Sequence, residues 1–182
     1  MSTETRSPAV QRLSEVMQGA TGSPFSAAYG PLVQTVAALR ALDPLTTELV
    51  RLRGARTHNC RLCRSLRTVS ALEAGGDEET YAKVDHYETS DLSERHKVAL
   101  RLTDAVITQP AGIGPELVAQ VRAHFTPAEA VELVTDILRN SGQKMAVALD
   151  ADQANAVRGV EYYDVLPDGD TVFLHRFSEP QD

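Results

Sequence analysis

Apolar residues recur at helical spacing along most of this 182-residue chain. Between residues 25 and 42, Phe25, Tyr29, Leu32, Val33, Val36 and Leu39 form one stripe on a single helix face. Asp43-Pro44 opens a second helix, with Asp43 as N-cap and Pro44 at its first position; it carries Leu45, Glu48, Leu49 and Leu52 and ends near Gly54. Thr57 or Asn59 caps a third, expected to run through two cysteines to Ala74 and to stop at Gly75-Gly76. Asp77 caps a short polar helix, and Ser93 caps SERHKVALRLTDAVI, which the break QPAGIGP ends. Pro115 starts ELVAQVRAHF, and Thr126 to Glu129 is a capping box that opens a helix to about Leu149. Ahead of all these, residues 8–18 predict a short helix and residues 19–24 a loop.

After Gly159 the pattern changes. EYYDVL and TVFLHRF, both rich in β-formers, flank the turn PDGD, which predicts a hairpin or an extended arm. There is no internal repeat and no low-complexity linker. The reading is an all-α domain over residues 25–158, preceded by a helix and loop (1–24) and followed by the hairpin or arm (159–182).

Composition narrows the class. A chain of this length buries roughly two thirds of its unfolded surface, so its two cysteines are not needed as a staple. No stretch approaches the ~18 apolar residues of a membrane span, and MSTETRSPAVQRLSEV lacks the basic segment and apolar core of a secretory signal, so a cytoplasmic address is expected. With 25 acidic and 18 basic residues, the net charge of −7 argues against binding nucleic acid or an anionic membrane. That charge is unevenly spread. Arg51, Arg53, Arg56, Arg61, Arg64 and Arg67 follow one another with no acid between them, and both cysteines, Cys60 and Cys63, lie inside this island.

In a reducing cytosol a C-x-x-C pair is catalytic or metal-binding more often than structural. On a helix, positions i and i+3 share a face, close enough for a disulfide to form. With Asn59 as N-cap, Cys60 would occupy the first helical position, where unpaired N–H groups stabilise a thiolate. Arg64 and Arg67, each four residues beyond a cysteine, would place a guanidinium one turn from each thiol. The pair is thus read as a redox-active dithiol, against two alternatives: small core residues, or a zinc site with His58 that lacks a second ligand pair. Glu48 lies near the apolar side of its helix, where an acid is unusual, and is either a salt-bridge anchor or a general base. His86, His96 and His124 lack a metal spacing, and His175 has no evident partner. No cofactor or metal is called for.

Glu48 followed by Cys60-x-x-Cys63 resembles the signature of alkylhydroperoxidase D-like proteins, within the carboxymuconolactone decarboxylase superfamily. LDPLTTELVRLRGARTHNCRLC, LEAGGDEETYAKV, LSERHKVALRLTDAV and AHFTPAEAVELVTDIL are similar to family segments in the same order. The resemblance covers about residues 25–152 and implies an all-α AhpD-like fold, assembly as a trimer, hexamer or similar homo-oligomer, and an antioxidant peroxidase chemistry. It makes Cys63 the peroxidatic cysteine, Cys60 its resolving partner through a Cys60–Cys63 disulfide, and Glu48 a relay carboxylate. The sequence departs from the pattern at the relay histidine, which is Arg67 here, and at the position between the cysteines, which is Leu62. Arginine cannot accept a proton; Arg67 would instead hold Cys63 as a thiolate. His58 is an auxiliary proton shuttle or a surface or capping residue. Helix-end reasoning by itself favours Cys60 as the acidic thiol; the resemblance favours Cys63 and takes precedence.

Three functions compete on this reading. The first is a thiol-dependent peroxidase or dithiol oxidoreductase, taking a hydroperoxide and recycled by a dithiol protein reductant. The second is a decarboxylase-like acid–base enzyme on a small anionic substrate, with the arginines as anion site. The third is a non-catalytic, redox-responsive oligomer.

Overall fold

In a computed structural model, residues 24–148, 152 and 159–177 are described. The helix and loop expected before residue 24 lie outside them. Helix α1 (Pro24–Ala37) includes Pro31 and ends five residues before the expected Leu42. Arg40 takes over there, donating to the carbonyls of Ala37 and Leu39 and, across the molecule, to those of Val165 and Leu166. Helix α2 (Pro44–Thr57) starts as the sequence predicts, with the Asp43 carboxylate accepting the Thr46 N–H at 2.8 Å. It passes Gly54, which is buried beside Ile107, and runs to Thr57.

α2 is the central element. It is covered by α6 (Glu94–Thr108) and α8 (Pro127–Ser141), numbered in chain order after α5 and α7 below. Leu49, Leu52, Val98, Leu100, Leu133 and Ile137, each no more than 1% exposed, form the centre of the core. A helix buried on so many sides is normally apolar all round. α2 instead also buries Glu48 and Arg51.

The expected long cysteine helix is broken into three parts. α3 (Arg61–Arg64) is a single turn, β1 (Leu66–Thr68) is a strand, and α4 (Val69–Glu73) resumes the helix. The cause is distant in sequence: β1 pairs in parallel with β2 (Glu161–Val165), Leu66 opposite Glu161 and Thr68 opposite Tyr163. Local propensity supplies only a fraction of a kcal/mol per residue, and a ladder with a distant strand outweighs it.

α5 (Glu78–Ala82) is capped by Asp77 and followed by two 3-10 turns; α7 (Pro115–His124) follows α6, and α8 carries the predicted capping box of Thr126 and Glu129. The last helix of the sequence reading is interrupted at Gly142, and α9 (Gln143–Ala148) follows. The hairpin is present: β2 and β3 (Thr171–Phe177) run antiparallel around a turn in which Gly169 has φ +89°. The three strands form one sheet in the order β1-β2-β3, so the hairpin is joined directly to the cysteine segment. Helices with this small terminal sheet make an AhpD-like helical domain. No helix among the described residues is long and apolar enough to cross a membrane.

Candidate functional site

Asn59 has φ +54°, a left-handed conformation that ends the α2 run and reverses the chain into α3. It is therefore not the N-cap. Cys60 is: its backbone is extended, and its Sγ accepts the Cys63 N–H at 3.4 Å. Cys60 is fully buried, whereas Cys63 is partly exposed. Both are free thiols. The hydrogen bond from the Cys63 side chain, reinforced by the Cys63 N–H, outweighs burial and lowers the Cys60 thiol to about 7. The same hydrogen bond, together with burial, pushes Cys63 upward, opposed chiefly by Arg51. The pair is therefore biased toward ionisation at Cys60 and against it at Cys63.

Asp152 braces the start of α3 from a point 91 positions away from Arg61. Its carboxylate accepts the Arg61 N–H at 2.7 Å and the Arg61 guanidinium at 2.8 Å, and its carbonyl accepts the Leu62 N–H at 3.0 Å. Asp152 thus satisfies N–H groups that a one-turn helix leaves open, and its charge, held ionised by Arg61 against the effect of burial, opposes ionisation of both thiols.

Glu48 is 1% exposed, and Arg51 binds it through two nitrogens at 2.7 and 2.6 Å. The guanidinium then reaches the carbonyls of Cys63 and Leu66, each at 2.7 Å, and lies 5.8 Å from the centre of the Tyr163 ring. Burial works against the charge on Arg51, but Glu48 more than reverses that, so the guanidinium is held protonated. Of the two sequence readings of Glu48, the salt bridge is present, and its partner lies on the same helix at i+3. The Thr68 N–H, on β1, lies 3.4 Å from the Glu48 carboxylate.

The guanidiniums expected beside the thiols are elsewhere. Arg67 lies on β1, not one turn from Cys63; it donates to Glu78 at 2.7 and 2.8 Å and stacks on Tyr81. Arg64 is exposed and bonds Asn59 at 2.8 Å. At Arg67 the cause is the broken helix, which removes the i+4 relationship; Arg64 keeps it, its N–H donating to the Cys60 carbonyl at 3.1 Å, but its side chain turns to Asn59. Arg51, not Arg67, is the guanidinium that favours ionisation of Cys63, without outweighing burial and Cys60. Across the island, Arg51, Arg53, Arg56, Arg61 and Arg67 are paired with Glu48, Asp104, Asp85, Asp152 and Glu78. These arginines are a framework of ion pairs rather than a free anion site.

His58 caps the C-terminus of α2. Its Nε2 is buried without a hydrogen-bond partner among the described residues, and burial, with Lys144 nearby, pushes the imidazole down to about 4. Among the described residues no group of three His, Cys, Asp or Glu side chains is arranged to hold a metal ion.

Sequence reasoning missed Arg51 as a site residue, and it missed Asp152 and Tyr163 altogether. Arg51 carried a signal, its i+3 spacing from Glu48. The other two carried none, since only the parallel β1–β2 ladder and the return of the chain at Asp152 bring them in.

No family model matches the chain. It is 49% identical over 149 residues to two uncharacterized proteins of Mycobacterium tuberculosis, MT2376 of strain CDC 1551 and Rv2313c of strain H37Rv, which covers 81% of this chain. The chain spans about half the length of these relatives, 52%. Among solved structures, the debrominase Bmp8 without ligand superimposes with a TM-score of 0.64 at 18% identity, covering 78% of this chain and 76% of that one. A Bmp8 variant in complex with 2,3,4-tribromopyrrole gives 0.61 at 15% identity over the same shares. A protein of unknown function from Agrobacterium tumefaciens, ATU0492, proposed as the antioxidant defence protein AhpD, gives 0.60 at 22% identity, covering 77% of this chain and 97% of that one. These likenesses fix the fold.

Proposed function

We propose that the chain is a dithiol–disulfide oxidoreductase that reduces hydroperoxides, with Cys63 as the attacking thiol and Cys60 as its resolving partner. The observation that carries this is the asymmetric pair: a fully buried Cys60 whose Sγ accepts the Cys63 N–H, beside a more accessible Cys63. The proton on the Cys63 sulfur passes to Cys60, leaving a Cys63 thiolate whose charge is offset by Arg51. That thiolate attacks the outer oxygen of a hydroperoxide. The O–O bond breaks, Cys63 becomes a sulfenic acid, and the alkoxide takes the proton now on Cys60 and leaves as an alcohol. The Cys60 thiolate then displaces hydroxide from the Cys63 sulfur, forming the disulfide and, with a solvent proton, water. A dithiol donor returns the pair to the reduced state by exchange.

In this reading Glu48 and Arg51 position the Cys63 backbone and set its charge environment, while Asp152 holds the first turn of α3. Val131 and Leu138, seven residues apart on α8 and about 60% exposed, share one helix face, and a homo-oligomer would cover it.

Stopped-flow consumption of cumene hydroperoxide by the reduced protein tests the chemistry. Loss of one equivalent per chain, with formation of a Cys60–Cys63 disulfide, is expected in the wild type and not in Cys63→Ser. Unchanged turnover in Cys63→Ser overturns the assignment. The likeness to the debrominase supports a second substrate class for the same dithiol, a halogenated heteroarene, in which two thiols become a disulfide as carbon–halogen becomes carbon–hydrogen with release of hydrogen halide. Bromide release from tribromopyrrole without hydroperoxide consumption would favour it.

A further inference from the structure

The two edges of the β1-β2-β3 sheet are finished differently. At β1 the edge is closed by side chains of α2: the Arg51 guanidinium donates to the Leu66 carbonyl at 2.7 Å, and the Thr68 N–H lies 3.4 Å from the Glu48 carboxylate. The ion pair that braces Cys63 thus also stands in for a missing strand. At β3 there is no such cover. Among the described residues β3 pairs only with β2, and Thr171, Val172, Phe173 and Leu174 are all exposed.

At the hairpin the Leu166 N–H donates to the Asp170 carbonyl at 2.8 Å, which makes these two a hydrogen-bonded pair. Bonded and non-bonded pairs alternate along an antiparallel ladder, so Asp164 with Val172 is bonded, whereas Val165 with Thr171 and Tyr163 with Phe173 are not. The N–H and C=O of Thr171 and Phe173 therefore point out of the sheet's edge, and they make no hydrogen bond among the described residues. The ladder's irregularity falls beyond this stretch, between Phe173 and Phe177. Open edges are normally blunted by Lys, Pro or an inward-pointing charge. Thr171 to Leu174 carries none of these; Val172 and Leu174, 40% and 44% exposed, lie on one face and Phe173, 38% exposed, on the other.

We infer that the occupant of this edge is β3 of a second copy of the chain, running antiparallel about a twofold axis at Phe173. Such a pairing is isologous, the same strand meeting itself, and the strand's own pattern selects the register. With Phe173 opposite Phe173, these two residues exchange both N–H···O=C bonds, and on the other face Val172 meets Leu174 twice over. Asp170, exposed and with only the neutral Gln34 amide as side-chain partner among the described residues, comes opposite Arg176, also twice. An axis at Val172 would set Leu174 opposite Asp170, and one at Leu174 would set Arg176 opposite Val172. Of the three, the Phe173 axis matches apolar with apolar and acid with base. The pairing joins two three-stranded sheets into one. It rests on the homo-oligomer reading above, to which it gives a surface apart from the α8 face, and is independent of the thiol chemistry.

Sedimentation velocity of the reduced full chain across a concentration series tests this, and concentration-dependent association is expected. Arg176→Glu, which sets acid opposite acid twice, should weaken it about tenfold or more, and Asp170→Lys combined with Arg176→Glu should restore it. In a background of Cys60→Ser and Cys63→Ser, Phe173→Cys should form an intermolecular disulfide on treatment with diamide, because directly opposite Cα atoms lie ~5.5 Å apart. Leu174→Cys should not, because its counterpart in the second copy lies beyond the ~7 Å that a disulfide can bridge. A monomer at every concentration overturns both this inference and the homo-oligomer reading. An oligomer unmoved by Arg176→Glu, or a Phe173→Cys chain that stays uncrosslinked, overturns this inference and leaves the homo-oligomer standing on another face. Should the serine background not fold, the charge series decides the matter.

Discussion

Arg51 holds Glu48 with two nitrogens and, in the same posture, donates to the carbonyl of Cys63 at 2.7 Å. One guanidinium therefore fixes both the acid inside α2 and the backbone of the second cysteine. Removing either charge strands the other in the core. Glu48→Gln or Arg51→Met should each cost about 3–5 kcal/mol, while the double variant should cost less than the sum of the two. Urea unfolding at pH 7 across the four proteins measures the coupling.

Asp152 opposes ionisation of both thiols while holding α3. Asp152→Asn keeps an oxygen for the Arg61 N–H but removes the carboxylate charge that opposes both thiolates. The titration followed by absorbance at 240 nm should therefore move to lower pH. Asp152→Ala, which also loses the cap, should cost about 1 kcal/mol in stability.

His58 is pushed down to about 4, so between its unfolded value near 6.5 and that pH the unfolded chain binds a proton that the folded chain refuses. Stability should therefore fall as pH drops from about 6.5 to 4, and this contribution is fully present only above that window. The group is half-buried, so solvent screening leaves about 1–2 kcal/mol. His58→Gln should flatten the profile of unfolding free energy against pH in that range.

Arg67 belongs to the framework, bonded to Glu78 and to the carbonyls of Arg64 and Leu66. Arg67→His should lower stability by about 2–4 kcal/mol without raising the rate of peroxide consumption, because this strand position is not the helical one from which a relay histidine would serve Cys63. A gain in rate from this variant would mean that the site is arranged otherwise.

Gly169 combines φ +89° with a position where a Cβ would meet the Gln34 carbonyl oxygen at 2.0 Å. Gly169→Ala should loosen the hairpin from α1 and, through β2, speed hydrogen exchange at the Leu66 to Thr68 amides. Thermal unfolding and exchange monitored together distinguish local from global loss.

What the sequence made legible was what local chemistry determines. The Asp43 cap, the capping box at Thr126 and the β2–β3 turn all stand where spacing put them, because each depends on residues three or four apart. The thiol pair and Glu48 were visible for the same reason. The helix through residues 60–74 failed because its register was judged without β2, and with it failed the role given to Arg67. Charge was read as a property of the island, yet the acids that answer it, Asp85, Asp104 and Asp152 among them, come from distant turns and helices.

The pairing of Leu66 with Glu161 spans 95 positions of chain. At roughly 5–20 residues per second of synthesis, the cysteine turn leaves the ribosome many seconds before the strand that pairs beside it. For that interval neither the Asp152 brace nor the Tyr163 ring is available, and both sulfurs meet the cellular redox buffer unprotected. Their first encounter with an oxidant can thus precede completion of the fold.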